Sequence, residues 1–430
     1  MELKQILQAE TERVCAVLER AGETKLALLF RNCYPNTFET TTKRMDDGTT
    51  YVFTGDIPAM WLRDSTAQVH QYLPLAGKNA DVADVIEGLV RRQMQCVLYD
   101  PYANAFNETE NGAGHVKDRP LQKPMVWERK YEVDSLCFVL QLCIEFYRST
   151  GRTAFLTDGL FARTMRTILD VWKAEQYHGE SSPYRFFRDA KRATDTIGNN
   201  GLGAPVSYTG MTWSGFRPSD DGCVYGYLIP SNMFAAVVLD GTAEILREVL
   251  HDPDTADEAE TLARQIRDGI ARYGVVEHPR FGKMYAYETD GMGNYVFMDD
   301  SNVPSLLAMP YFGFCGADDP IYQNTRRFIL SDANPYYFTG KVLRGTGSPH
   351  TPDGYVWHIG LTLQGLTATD PAERLEVLRM LETSDADTGY MHEGVCADDP
   401  TQFTRPWFAW SNSIFSEFVL RYAESLEAAT

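Results

Sequence analysis

A chain of 430 residues, 44% hydrophobic and 23% charged, is long enough to bury a large core and too ordinary in composition to be fibrous or disordered. Its formal charge of −19, with no long basic run, argues against nucleic acid and anionic membrane surfaces, so neither is expected as a partner; acidity alone serves solubility. Eight cysteines, scattered without a CxxC pair, suit reduced and buried thiols and predict a cytoplasmic protein.

The first 22 residues read as an amphipathic helix with charges throughout, unlike the unbroken apolar segment of a signal peptide. Apolar residues then recur at helical spacing over 65–77, 80–100, 132–150, 161–176, 231–250, 256–274, 302–312, 322–332, 355–369, 371–384 and 412–428. Between these, "KMYAYETDGMGNYVFMDD" (283–300) alternates on both sides of a glycine-containing turn and predicts a β-hairpin. Loops rich in Gly, Pro, Asn and aromatics cover 101–130, 179–229, 333–354 and 384–410, too long to serve only as connectors. No break in composition divides the chain, so a single domain over 1–430 is expected. The pattern predicts a mainly α fold, an (α/α)6 barrel of helical hairpins whose long loops and small hairpin gather at the active-site end. An open helical solenoid is the other reading, because no strict repeat marks the ring.

Three stretches carry candidate chemistry. In "TGDIPAMWLRDSTAQ" (54–68), Trp61 offers a stacking face while Arg63 and Asp64 donate to and accept from neighbouring hydroxyls; Asp64 or Ser65 also suits a helix N-cap. In "SGFRPSDDGCVYGY" (214–227), Asp220 and Asp221 sit side by side among aromatics, and near the C-terminus Glu393 shares a loop with Arg405 and Trp410. Trp127, and the histidines His350 and His358 around "TPDGYVW", are further pocket candidates. Loop carboxylates are usually just solvated, but aromatic residues crowd these.

Carboxylates on two separate aromatic loops suit glycoside hydrolysis, in which one protonates the departing oxygen and the other activates water or attacks the sugar. Asp220 and Asp221 cannot fill both roles, because adjacent residues point apart while an inverting pair flanks the substrate at about 6.5 to 9.5 Å. Spacing does not choose between them. The glycine-rich stretches lack a phosphate-loop lysine, there is no HExxH or Cys/His cluster, and no GxSxG elbow occurs, so neither metal nor cofactor is expected.

Together "FTGDIPAMWLRDSTAQ", "WSGFRPSDDGCVYGY", "MDDSNVPSLLAMPYF" and "GYMHEG" resemble glycoside hydrolase family 125, exo-α-1,6-mannosidases of bacteria and fungi, over about residues 30 to 425. The resemblance implies an (α/α)6 barrel, metal-free inverting hydrolysis and an α-1,6-linked manno-oligosaccharide as the partner. It implies Asp220 as general acid, Glu393 as general base, and Arg63, Asp64 and Asn302 as residues that hold the mannose. Asp221 is left a supporting task, capping the loop or accepting from Arg217 or a sugar hydroxyl. Two rivals remain at this point: a sugar epimerase on the same barrel, with His350 and His358 as its acid–base pair, and a carbohydrate-binding protein without catalysis.

Overall fold

The computed structural model describes residues 3–428; Met1, Glu2, Ala429 and Thr430, which the expected domain and terminal segments included, lie outside them. Twelve α-helices of nine residues or more occur among the described residues. They are α1 (Leu3–Arg20), α2 (Thr24–Cys33), α3 (Leu62–His70), α4 (Ala80–Tyr99), α5 (Val133–Thr150), α6 (Leu160–Gln176), α7 (Ile229–Glu248), α8 (Pro253–Tyr273), α9 (Pro320–Ile329), α10 (His358–Leu366), α11 (Pro371–Thr383) and α12 (Ala409–Ala428).

Burial sorts them into two layers. α7 buries 15 of its 20 residues, whereas α8, next in the chain, buries one stripe running from Ala256 through Ala259, Ala263 and Ile266 to Ile270. A helix apolar all round belongs inside, and a striped one outside. α3, α5, α7, α10 and α12 form an inner ring in which α3 packs on α5, α5 on α7, α10 on α12, and α12 back on α3. The outer layer includes α4, α6, α8 and α11, while the α1–α2 hairpin covers α12. One connected core runs from Ile6 to Ala423.

The sixth inner place is not a helix. Residues 302–312, expected to be helical, form successive turns instead, and Phe312 lies against Phe234 of α7 at a ring separation of 5.2 Å. The physical reason is local. Pro304 and Pro310 remove amide donors, and the Asp299 carboxylate accepts from the Leu306 and Leu307 amides at 2.8 and 3.0 Å, in place of main-chain carbonyls.

Other expectations shift in detail. α2 went unread behind the turn at Gly22. The 65–77 pattern breaks after His70 and resumes only as the single turn Leu73–Ala76, which has Pro74 near its start. The expected hairpin is narrower: Glu288–Thr289 pairs with Tyr295–Val296 across the glycine turn, while Gly282–Tyr285 pairs back onto Val275–His278. It is also not alone, since six sheets of two or three short strands occur among the described residues.

Candidate active site

These small sheets explain where the site forms. Met60–Trp61, Tyr227–Leu228 and Tyr355–Trp357 are strands that run directly into α3, α7 and α10, so three of the five inner helices start from a pinned strand. Tyr355–Trp357 also pairs with Gly394–Cys396, placing Glu393 beside the start of α10, and the His358 amide donates to the Glu393 carbonyl at 3.2 Å. The N-termini of the inner helices therefore face one end of the ring, where their amide dipoles favour anions.

At that end lies a cavity of about 300 Å³ lined by Trp61, Arg63, Asp64, Asp220, Asn302, His350, Glu393, Arg405 and Trp410. Thr54, Ile57, Pro218, Ser219, Thr351, Pro352, Trp357, Thr404 and Phe408 complete its wall. Thus nine of the residues picked from the sequence meet in one pocket.

The adjacent aspartates part company. Asp220 has φ +66, a left-handed conformation that Asp tolerates better than most residues, held by its amide on the Arg217 carbonyl (2.9 Å) and by Lys130 Nζ on its own carbonyl (2.6 Å). Its Oδ1 accepts from Arg63 Nη2 at 3.1 Å and Asn104 Nδ2 at 3.3 Å at the cavity edge. The Asp221 side chain is instead fully buried outside the cavity lining, with Oδ1 at 3.3 Å from His350 Nδ1 and 3.2 Å from Arg192 Nη2. Asp221 is thus no direct sugar ligand in this arrangement; it positions His350. Nor does it take the Arg217 side chain, which pairs with Glu288 at 2.6 Å.

Two other expectations are corrected. His358 is fully buried, its Nε2 on Ser384 Oγ at 2.9 Å and its Nδ1 accepting the His392 amide at 2.8 Å. Burial and the neighbouring His392 push it down to about 3, so it stays neutral and structural, and the histidine pair an epimerase would need does not face the pocket. Trp127 is absent from the lining and packs instead against the small cluster of Ala59, Trp61 and Ala105. Asp64 is not an N-cap either: α3 begins at Leu62, and the Asp64 carboxylate accepts from Thr54 Oγ1 at 3.0 Å. Burial raises its pKa.

Glu393 is 7% exposed, with Oε2 accepting from Thr404 Oγ1 at 3.0 Å and Oε1 at 3.7 Å from Arg405 Nη1. Arg405 is anchored by Asp56 and reaches Thr54 Oγ1 at 3.2 Å.

Beneath Asp220 lies a group that sequence reading missed. Arg63, 3% exposed, contacts Glu132 Oε2 at 2.5 Å, Asp134 Oδ2 at 3.2 Å and Asp220, and its Nε lies 3.7 Å from Asp64. One guanidinium faces four carboxyls. Were all four ionised, the guanidinium could balance only one of them, with Lys130 and His350 helping at Asp220 and Arg405 at Asp64, so in this dry site the cluster retains protons at Glu132 and Asp134. Burial raises Glu132 well above the carboxylate range and Asp134 to about 6, against the pull of Arg63. For Asp220, burial is outweighed by Arg63, the hydrogen bond with Glu132, Lys130 and His350, which hold it ionised. The signal available in the sequence was "EVDS", two carboxylates heading a helix that is otherwise apolar for several turns.

The fold, a ring of helices with a carboxylate-lined pocket at one mouth in this chain, recurs in a bacterial glucoamylase complexed with acarbose. That structure is 13% identical, with a TM-score of 0.57 over 86% of this chain and 49% of the other. Residues 23–420 match glycoside hydrolase family 125, described as metal-independent α-mannosidases, and the chain belongs to that family. A metal-independent α-mannosidase from Streptococcus pneumoniae, solved as a non-productive complex with α-1,6-mannobiose, is 47% identical over 98% of this chain and 99% of its own, with a TM-score of 0.95. The meiotically up-regulated gene 157 protein of Schizosaccharomyces pombe is 40% identical over 95% of this chain and 84% of its own length. Among the described residues, no helix is long and apolar enough to cross a membrane.

Proposed function

We propose that this α-mannosidase removes terminal mannose from α-1,6-linked manno-oligosaccharides with inversion, Asp220 acting as general acid and Glu393 as general base. The observation that carries the reading is that these two carboxylates, from loops far apart in the chain, line the same cavity, while the 47% identical relative was solved with α-1,6-mannobiose. Arg63, Asp64, Asn302, His350 and Arg405 hold the sugar hydroxyls, and Trp61 and Trp410 supply apolar faces. Exo action is supported by the buried Arg63, Asp64 and Trp410 on the lining, which suit a terminal sugar entering end-on.

A general acid matters most when the leaving group is basic. Asp220→Asn is expected to lose most activity on α-1,6-mannobiose while keeping a much larger fraction on a dinitrophenyl mannoside. Equal losses on the two substrates would remove Asp220 from the role, and equal cleavage of α- and β-linked mannobiose would refute the specificity.

We further infer that the chain is one folding unit, supported by its connected core, and that it works in the cytoplasm, supported by eight cysteines without a disulfide among them. A single cooperative unfolding transition and recovery in the cytosolic fraction are the respective tests.

A further inference from the structure

The reading of Asp220 as general acid, on which this inference rests, leaves a question: an acid must carry a proton, yet the Arg63 and Lys130 side chains beside Asp220 favour its ionised form. The proton has a place to reside. Glu132 stands at the entry to α5, 1% exposed, and shares two partners with Asp220. Arg63 donates from Nη1 to Glu132 and from Nη2 to Asp220, and Asn104 Nδ2 lies 3.2 Å from Glu132 Oε1 and 3.3 Å from Asp220 Oδ1. Ser135 Oγ adds a contact to Glu132 Oε2 at 2.8 Å. The two carboxyls are thus brought side by side against the same two donors.

We propose that Glu132 is the positioning and proton-holding partner of Asp220, the two carboxyls sharing one proton across the Arg63–Asn104 bridge. In the resting arrangement the proton sits on Glu132. As a glycosidic oxygen settles against Asp220, the proton crosses from a Glu132 oxygen to an Asp220 oxygen, and from there to the departing oxygen as its bond to the anomeric carbon breaks. Meanwhile Glu393 takes one proton from the attacking water, whose oxygen forms the new bond to that carbon. The carboxyl pair is left one proton short and Glu393 one proton long, and exchange with solvent restores both.

The surroundings favour this division. From α3, Arg63 faces both carboxyls and Asp64 lies behind it; from α5, Asp134 adds negative charge; from the loops, Lys130 and His350 bear on Asp220. Arg63 serves both carboxyls, Lys130 and His350 add to it at Asp220, and Glu132 is the more deeply buried of the two, where the neutral form belongs.

The test is the pH dependence of kcat and kcat/KM for Glu132→Gln in the full chain, on α-1,6-mannobiose and on a dinitrophenyl mannoside. A glutamine keeps the size and one acceptor oxygen but has no proton to lend. The expected result is a fall of about tenfold or more in kcat on mannobiose, a much smaller fall on the activated substrate, and an alkaline limb of kcat/KM displaced to lower pH by about one unit. Glu132→Asp is expected to recover part of the loss. Equal losses on both substrates, or an unmoved alkaline limb, overturn the proposal. Asp220→Asn run in parallel separates the two readings: leaving-group dependence there without any in Glu132→Gln removes Glu132 alone, whereas none in Asp220→Asn removes the acid assignment itself. Should Glu132→Gln fail to fold, infrared difference spectra between the unmodified protein and Asp220→Asn decide, since losing Asp220 removes the negative charge nearest Glu132 and frees more of Arg63 to ionise it. A carboxylic-acid carbonyl band lost on that substitution supports the shared proton; no loss overturns it.

Discussion

At the end of the ring opposite the pocket, His70 of α3 is clasped between Glu145 of α5 (2.9 Å) and Glu417 of α12 (2.8 Å), and Tyr311 donates to Glu417 at 2.7 Å. Burial works against the charge on Glu417, but His70, Arg421 and Tyr311 prevail and lower it from an ordinary 4.5 to about 2. The side chain is only 10% exposed, so little of this is screened, and a depression of that size corresponds to about 3 kcal/mol of folding stability. Because the folded value lies below the unfolded one, the stabilisation is complete above about pH 4.5 and disappears as pH falls towards 2. His70 has the opposite sense. Burial opposes its charge, the two glutamates raise it well above 6.5, and its share is full below that pH and fades as pH rises through the raised value.

Glu417→Gln therefore should destabilise the protein by about 3 kcal/mol near pH 6, a little less than stripping a buried charge of every partner, because Glu145 still holds His70. Urea unfolding of both proteins between pH 3 and pH 9 measures this, the gap narrowing at either extreme. A gap below about 1 kcal/mol at pH 6, or one as wide at pH 3 as at pH 6, would refute the linkage.

Glu393→Gln should lower kcat on α-1,6-mannobiose by about a hundredfold or more without moving the melting temperature, as loss of a general base does. Proton NMR of the reaction should show β-mannose appearing first; α-mannose first would mean retention, with Glu393 as a nucleophile. Activity should survive exhaustive EDTA dialysis, in keeping with the metal-independent family, and a loss restored by Ca²⁺ or Zn²⁺ would contradict it. Gly226→Ala should cost about 2 kcal/mol or more in urea unfolding, since an added Cβ would run into the Trp213 indole; a neutral result would show that this ring can move aside.

The sequence displayed much of the ring because an inner helix such as α7 is apolar on nearly every side and an outer one such as α8 in a stripe, patterns that local spacing carries. It hid the sixth inner segment, since 302–312 has helical spacing but the decisive contact comes from Asp299, a side chain capturing two amides. The pocket was legible wherever aromatics, arginine and carboxylates fell in one short stretch, as at Trp61–Asp64 and Glu393–Trp410. His358 and Trp127 were misread for the same reason: a residue close in sequence to a pocket residue can still face inward, as His358 does at the start of α10 and Trp127 does in a short strand, and composition carries no orientation. Glu132 was hidden because its meaning depends on Arg63 and Asp220, brought to it only as α3, α5 and the loop before α7 pack into the closing ring.

That closure joins the beginning of the barrel to its end. α12 seals the ring against α3, with Gln71 Nε2 on Ser413 Oγ at 3.2 Å and His70 on Glu417, and it docks on α1 and α2 as well. A chain emerging from the ribosome must therefore wait for its last barrel stave with the flanks of α3 and α10 uncovered. Such late, sequence-distant contacts make folding slow and leave apolar surface open to association in the interval. During synthesis the vulnerable faces are those that α12 will cover, so that is where a chaperone holding the nascent chain would find its footing.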